Sequence, residues 1–102
     1  MDKALRYLAL AAKAGYLKIG AEDCAKAIQK GKGHLLLLAA DAGGNTVSQA
    51  EAMTRERAHI LVRTAYTKQD IAGAIGRGNP VAMALICDRG LAEAYARAAE
   101  TD

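Results

Sequence analysis

Leu35-Leu36-Leu37-Leu38-Ala39-Ala40, closed by Asp41, is the stretch whose reading decides the fold. Periodicity alone cannot separate a short unbroken apolar run from a buried helix. Its length and the glycines on both sides, Gly31, Gly33, Gly43 and Gly44, favour a strand covered on both faces. Two later runs have the same character: Ile60-Leu61-Val62, and Val81-Ala82-Met83-Ala84-Leu85-Ile86 behind the chain's only proline, Pro80.

Helical patterns separate these runs. Asp2 can cap a first helix with Leu5, Leu8, Ala9 and Ala12 on one face, and Gly15 stops it. Tyr16-Leu17-Lys18-Ile19 reads as extended. Gly20 then opens a second helix with Ala21, Cys24, Ala25 and Ile28 as its buried stripe, ended by Gly31. Thr46 and Gln49 have capping-box spacing for a third helix, and Thr67 with Asp70 caps a fourth that runs to Gly76 and Gly78. Asp88 caps a last helix carrying Leu91, Ala94, Tyr95 and Ala98. Strands alternating with helices predict an α/β domain over 1–102, with a small, largely parallel (mixed) sheet and helices on both faces.

Composition narrows the function classes. Hydrophobic residues make up 52% of the 102, yet 24 are alanine, so the large aliphatic side chains mark the core. The net charge is +3, and its excess lies in the first third: residues 1–34 hold seven basic and three acidic groups, residues 35–102 seven and eight. That distribution suits a polyanionic partner, although a solvated lysine face gives the same pattern. Two distant cysteines, Cys24 and Cys87, form neither a disulfide framework nor a zinc site. Leu8–Ala12 is too short an apolar run for a signal peptide, and nothing reaches membrane-spanning length. The expectation is a cytoplasmic protein without metal, cofactor or membrane.

Catalytic signatures are missing from the pattern. Gly31-Lys32-Gly33 lacks the spacing of a nucleotide-hydrolase phosphate loop, and Gly73, Gly76 and Gly78 have the wrong order for a dinucleotide fingerprint. Gly73-Ala74-Ile75-Gly76 has the GxxG spacing that clamps nucleotides, but no charge. His34 and His59 begin strands without a ligand partner nearby. The adjacent Glu22 and Asp23 point about 100° apart on a helix, which suits first-turn charge rather than acid–base work. The only aromatics are four tyrosines, scattered, which argues against single-strand base stacking. The reading is a binding protein, not an enzyme. What remains is the Lys18-Ile19-Gly20-Ala21 turn, with its free helix N–H groups, and Lys26 and Lys30 beyond it. Loops at strand carboxyl ends, beginning at Asp41, Thr64 and Cys87, would gather beside it.

The ordered set Ala14-Gly15-Tyr16-Leu17, Gly20, Lys26-Ala27-Ile28, Leu35–Ala42, Asn45-Thr46, Ile71–Gly76 and Val81–Cys87 resembles the ribosomal protein L7Ae/L30e/S12e superfamily, in its small bacterial ribosomal-protein-like form. The resemblance covers nearly the whole chain. It implies a three-layer α/β/α sandwich and binding of structured RNA of the kink-turn type, a helix–bulge–helix bent at tandem sheared G·A pairs, with ribosomal RNA among the candidates. The family's Gly-x-Asn-Glu-x-x-Lys stretch, which enters the groove at those pairs, falls on Gly20-Ala21-Glu22-Asp23-Cys24-Ala25-Lys26. Glu22 and Asp23 stand where the archaeal and eukaryotic pattern has asparagine and glutamate; a carboxylate accepts hydrogen bonds but cannot donate them. The resemblance places the loop that covers the bulged nucleotide around Ile86, Cys87, Asp88 and Arg89. The alternative from another class is a protein–protein adaptor built on the same sandwich.

Overall fold

The computed structural model describes residues 2–101. In order, the chain forms α1 (Lys3–Ala14), β1 (Leu17–Ile19), α2 (Ala21–Gln29), β2 (Leu35–Leu38), α3 (Gly44–Met53), a 3-10 turn (Arg55–Ile60), β3 (Leu61–Arg63), α4 (Lys68–Ala74), β4 (Met83–Ile86) and α5 (Arg89–Thr101). The four strands make one sheet in the order β1-β4-β2-β3.

All four residues of β2 and all four of β4 are buried, as a strand covered on both faces requires. Successive side chains point to opposite faces, so each run feeds two cores. Leu35, Leu37, Ala84 and Ile86 enter one layer with Ala4 and Leu8 of α1, Ile71 of α4 and Tyr95 of α5. Leu36, Leu38, Met83 and Leu85 enter the other with Cys24 and Ala27 of α2 and Ala50 of α3. The result is the expected α/β/α sandwich.

The sheet is mixed, with less parallel pairing than the alternation of elements suggests. Only β2 and β3 run parallel; β4 runs antiparallel to both β1 and β2. The alternation of elements does not fix direction when a strand inserts between two earlier ones, as β4 does between β1 and β2. The carboxyl end of β4 therefore lies at the opposite edge of the molecule from the carboxyl ends of β1, β2 and β3.

Local details also differ from the pattern reading. The buried stripe of α1 is Ala4, Leu8 and Ala11, rotated from the expected one, and α2 buries Cys24 and Ala27 rather than Ala25. In α3, Gly43 is the N-cap and no side chain caps the helix, so the Thr46–Gln49 box does not form. β3 starts one residue late because Ile60 closes the 3-10 turn. Asp2 is the N-cap residue of α1 but its side chain makes no cap hydrogen bond, whereas the caps of α4 and α5 form. Thr67 and Asp70 exchange both bonds of a capping box, and the Leu91 N–H donates to the Asp88 carboxylate at 2.9 Å.

One glycine sets the distance between the α2–β2 turn and the sheet. Gly33 is buried at φ +95°, and a Cβ there would lie 2.7 Å from the side chain of Leu85, itself wholly buried. Gly33→Ala therefore combines backbone strain with overpacking and is expected to cost roughly 2–4 kcal/mol. Gly43→Ala, at an exposed position with nothing within 4 Å, is expected to cost little. Denaturant melts of the two variants check this; equal midpoints would contradict the packing of Gly33 on Leu85.

Candidate nucleic-acid interface

The second helix starts where the chain leaves β1. Gly20 adopts φ +89° and ψ +157°, a conformation open to glycine alone, and its N–H donates to the Met83 carbonyl at 3.1 Å. That bond ties the start of α2 to the start of β4. Glu22 and Asp23 occupy the first turn, where negative charge complements the helix dipole. The Lys26 ammonium lies 3.2 Å from the Glu22 carboxylate one turn back. Both side chains are largely solvent-exposed, so the pair contributes little to stability.

Positions 23, 26, 27 and 30 fall on one side of α2 by i+3 and i+4 spacing. Lys18 pairs with Leu85 across β1 and β4, so it stands on the sheet face that α2 covers. Together Lys18, Asp23, Lys26, Lys30 and Lys32 line one shallow depression floored by Ala27. Four ammonium groups there face one carboxylate, which makes a site for a polyanion. The turn carrying Lys32 is fixed from outside. Lys32 N–H donates to Ala27 O at 2.9 Å, and the Arg57 guanidinium donates to the carbonyls of Lys32 and Gly33 at 3.3 and 2.6 Å.

Cysteine chemistry is subdued here. Burial pushes the Cys24 thiol up to about 12, helped by the negative fields of Cys87 and Asp23, and a backbone hydrogen bond from Leu85 works against it. The Cys24 S–H donates weakly to Lys18 O at 3.5 Å. Partial burial also raises Cys87, while Lys18 and Lys32 pull it back down, which places that thiol within the field of the lysine strip.

The structure thus gathers Lys18, Gly20, Ala21, Glu22, Asp23, Lys26 and Lys30 along one flank, and it sets the other expected residues on other elements. Asp41 caps a helix: its carboxylate accepts the Lys68 N–H at 2.8 Å, at the first residue of α4. Ile86 is wholly buried in the sheet and cannot cover a nucleotide. Cys87 N–H donates to Tyr16 O at 2.7 Å, at the end of the sheet away from Gly20, and its thiol stands in the field of Lys18 and Lys32 beside the α2 layer. Arg89 pairs with Glu93 at 3.2 Å and shares a different depression with His34 and His59. The antiparallel direction of β4 is the cause, since it carries the loop before α5 away from the start of α2.

Beside Gly20 lies a loop that the pattern reading missed, residues 75–82. Ala82 O accepts the Ala39 N–H at 2.9 Å and Val81 N–H donates to Lys68 O at 3.1 Å, which anchor the loop next to the starts of α2 and α4. Gly76, Arg77, Gly78, Asn79 and Pro80 are all exposed. The cluster of turn residues is visible in the sequence, but its neighbour depends on strand direction. Among the described residues no group of three or more His, Cys, Asp or Glu could hold a metal ion, and no helix is long and apolar enough to cross a membrane.

Comparison with known proteins agrees with this architecture. No curated protein matches the chain. Among solved structures, a Bacillus halodurans protein of unknown function is 29% identical with a TM-score of 0.87, covering 98% of this chain and 99% of its own. The 15.5kD RNA binding protein of Giardia lamblia has the same fold at 22% identity and a TM-score of 0.75, covering 97% of this chain and 83% of its own. With residues 2–95 matching its sequence pattern, the chain belongs to the ribosomal protein L7Ae/L30e/S12e/Gadd45 family.

Proposed function

We propose that residues 1–102 act as one RNA-binding domain in the cytoplasm, taking structured RNA of the kink-turn type, ribosomal RNA included. The surface is the lysine flank of α2 and β1 together with the 75–82 loop. The observation that carries this reading is the depression where Lys18, Lys26, Lys30 and Lys32 converge, continuous with the start of α2. Membership of a ribosomal-protein family supports it, as does the likeness to a protein described as RNA-binding. Proteins of this family bind RNA and are not enzymes.

Each part has a physical role. The lysines contact phosphates and supply affinity. The first-turn N–H groups of α2 are anion donors, while Glu22 and Asp23 accept from guanine N–H groups. Lys26 can leave its exposed pair with Glu22 at small cost, because that pair sits in water. Base stacking contributes little. Tyr16 is the one large aromatic among the exposed hydrophobics, and the protein has no aromatic platform along this flank.

The protein should bind a kink-turn hairpin more tightly than a plain duplex of equal length. Equal affinity in a gel-shift titration at moderate salt would count against recognition of bent RNA. Lys26→Ala should lose about 1.5–3 kcal/mol of RNA affinity, the range for a hydrogen bond to a charged group, and lower the salt slope by about one unit. Arg97, exposed beside Lys3 and Tyr7 on the far helix layer, is the control, and Arg97→Ala should change little. Equal losses for both variants would mean diffuse electrostatics rather than recognition by α2.

A further inference from the structure

The turn that carries Lys32 is held from a distant part of the chain. Gly31 and Gly33 flank Lys32 at φ +77° and +95°, so the exposed lysine sits between two residues of permissive backbone. The next two carbonyls, those of Lys32 and Gly33, accept the Arg57 guanidinium, which comes from 25 and 24 residues further along. Arg57 is itself placed by the core. Thr54 is 1% exposed, and its hydroxyl donates at 2.8 Å to the carbonyl of the wholly buried Ala50 in α3. Thr54 O in turn accepts the Arg57 N–H at 2.9 Å. The 3-10 turn is interrupted at Arg57, with φ −136° and ψ 49°, and the side chain there reaches across toward α2 beside Ile28, Gln29 and Met53. A guanidinium is a rigid fork of N–H donors with a permanent charge, which suits a grip on two neighbouring carbonyls. The carbonyl end of α2 adds a partial negative charge that favours a cation beside it.

We propose that Arg57 is a positioning residue for RNA binding: its grip on the Lys32 and Gly33 carbonyls orients the turn so that Lys32 joins Lys18, Lys26 and Lys30 at one depression. The inference rests on the lysine flank being the RNA surface. Arg57 acts through Lys32 rather than on a phosphate, since it lines the depression between α2 and α3 and not the one the lysines share. A lysine on a loose turn must give up backbone and side-chain freedom when it meets a phosphate. Fixing the turn beforehand removes part of that loss, so Arg57 raises affinity without a contact of its own. A lysine at position 57 would keep the charge but not the planar fork.

The test is a double-mutant cycle in the full chain, with a kink-turn hairpin as the probe. Lys32→Ala and Arg57→Ala should each weaken binding about fivefold, the upper end for an exposed ion pair. The double variant should also lose about fivefold and no more, because without the Lys32 ammonium there is nothing left for Arg57 to orient. A role in folding alone would lower affinity in both backgrounds. Arg57→Lys should lose about threefold although the net charge is unchanged, and amide relaxation of the free variant should show faster motion at 31–34. If Arg57→Ala fails to fold, Arg57→Lys with Lys32→Ala completes the same cycle. Arg55→Ala, an exposed neighbour in the same 3-10 turn, is the control for bulk charge and should change little. Additive losses in the double variant, or wild-type affinity in Arg57→Lys or in Lys32→Ala, would overturn the proposal while Lys26→Ala still weakens binding. Wild-type affinity in both Lys26→Ala and Lys32→Ala is a different failure, that of the lysine flank as the RNA surface, and the role of Arg57 falls with it.

Discussion

The direction of β4 governs the arrangement of this protein. The strand lies between β1 and β2, antiparallel to both, with all four of its residues buried. Its start therefore meets the start of α2, joined by the Gly20–Met83 hydrogen bond, and its end meets Tyr16 at the opposite end of the sheet. The direction of that one strand is what sets the 75–82 loop, rather than the loop before α5, beside the start of α2. The two alternating runs of β2 and β4 also divide the core into its two layers, so the same strand that orders the surface holds the sandwich together.

The lysine flank is supported by this core rather than by its own contacts. Lys18 is carried on an edge strand of three residues, held by its pairing with β4 and by the packing of Leu17 and Ile19 on the core. Lys32 sits in a turn pinned by Gly33 against Leu85 from below and by the Arg57 guanidinium from the side. The ammonium groups themselves remain in water, with Lys26 alone paired to a carboxylate among the described side chains of the depression. Such a surface keeps its charge available for phosphates, because solvent rather than the protein satisfies the lysines until a partner displaces it.

Much of this was legible in the sequence. The leucine run, the Val81–Ile86 run, the Gly15 and Gly31 stops and the Thr67–Asp70 and Asp88 caps are local signals, and local signals place elements along the chain. Gly20 and the lysines of the first third marked the recognition flank for the same reason. Strand direction is a property of the whole sheet. The alternation of elements leaves the direction of β4 open, and with it which loop stands beside Gly20. The bond from the Lys68 N–H to the Asp41 carboxylate spans 27 residues of chain, so no local pattern announces it.

The central claim is that RNA meets the side of the molecule where α2 begins, and not the side where α5 begins. The most direct measurement is residue-resolved amide hydrogen exchange, or amide chemical-shift mapping, of the protein with and without a kink-turn RNA. The account predicts that the largest changes fall on 20–32 and 76–81, with the first turn of α5 unaffected. The largest changes at 86–90 and the first turn of α5, with α2 silent, would contradict it.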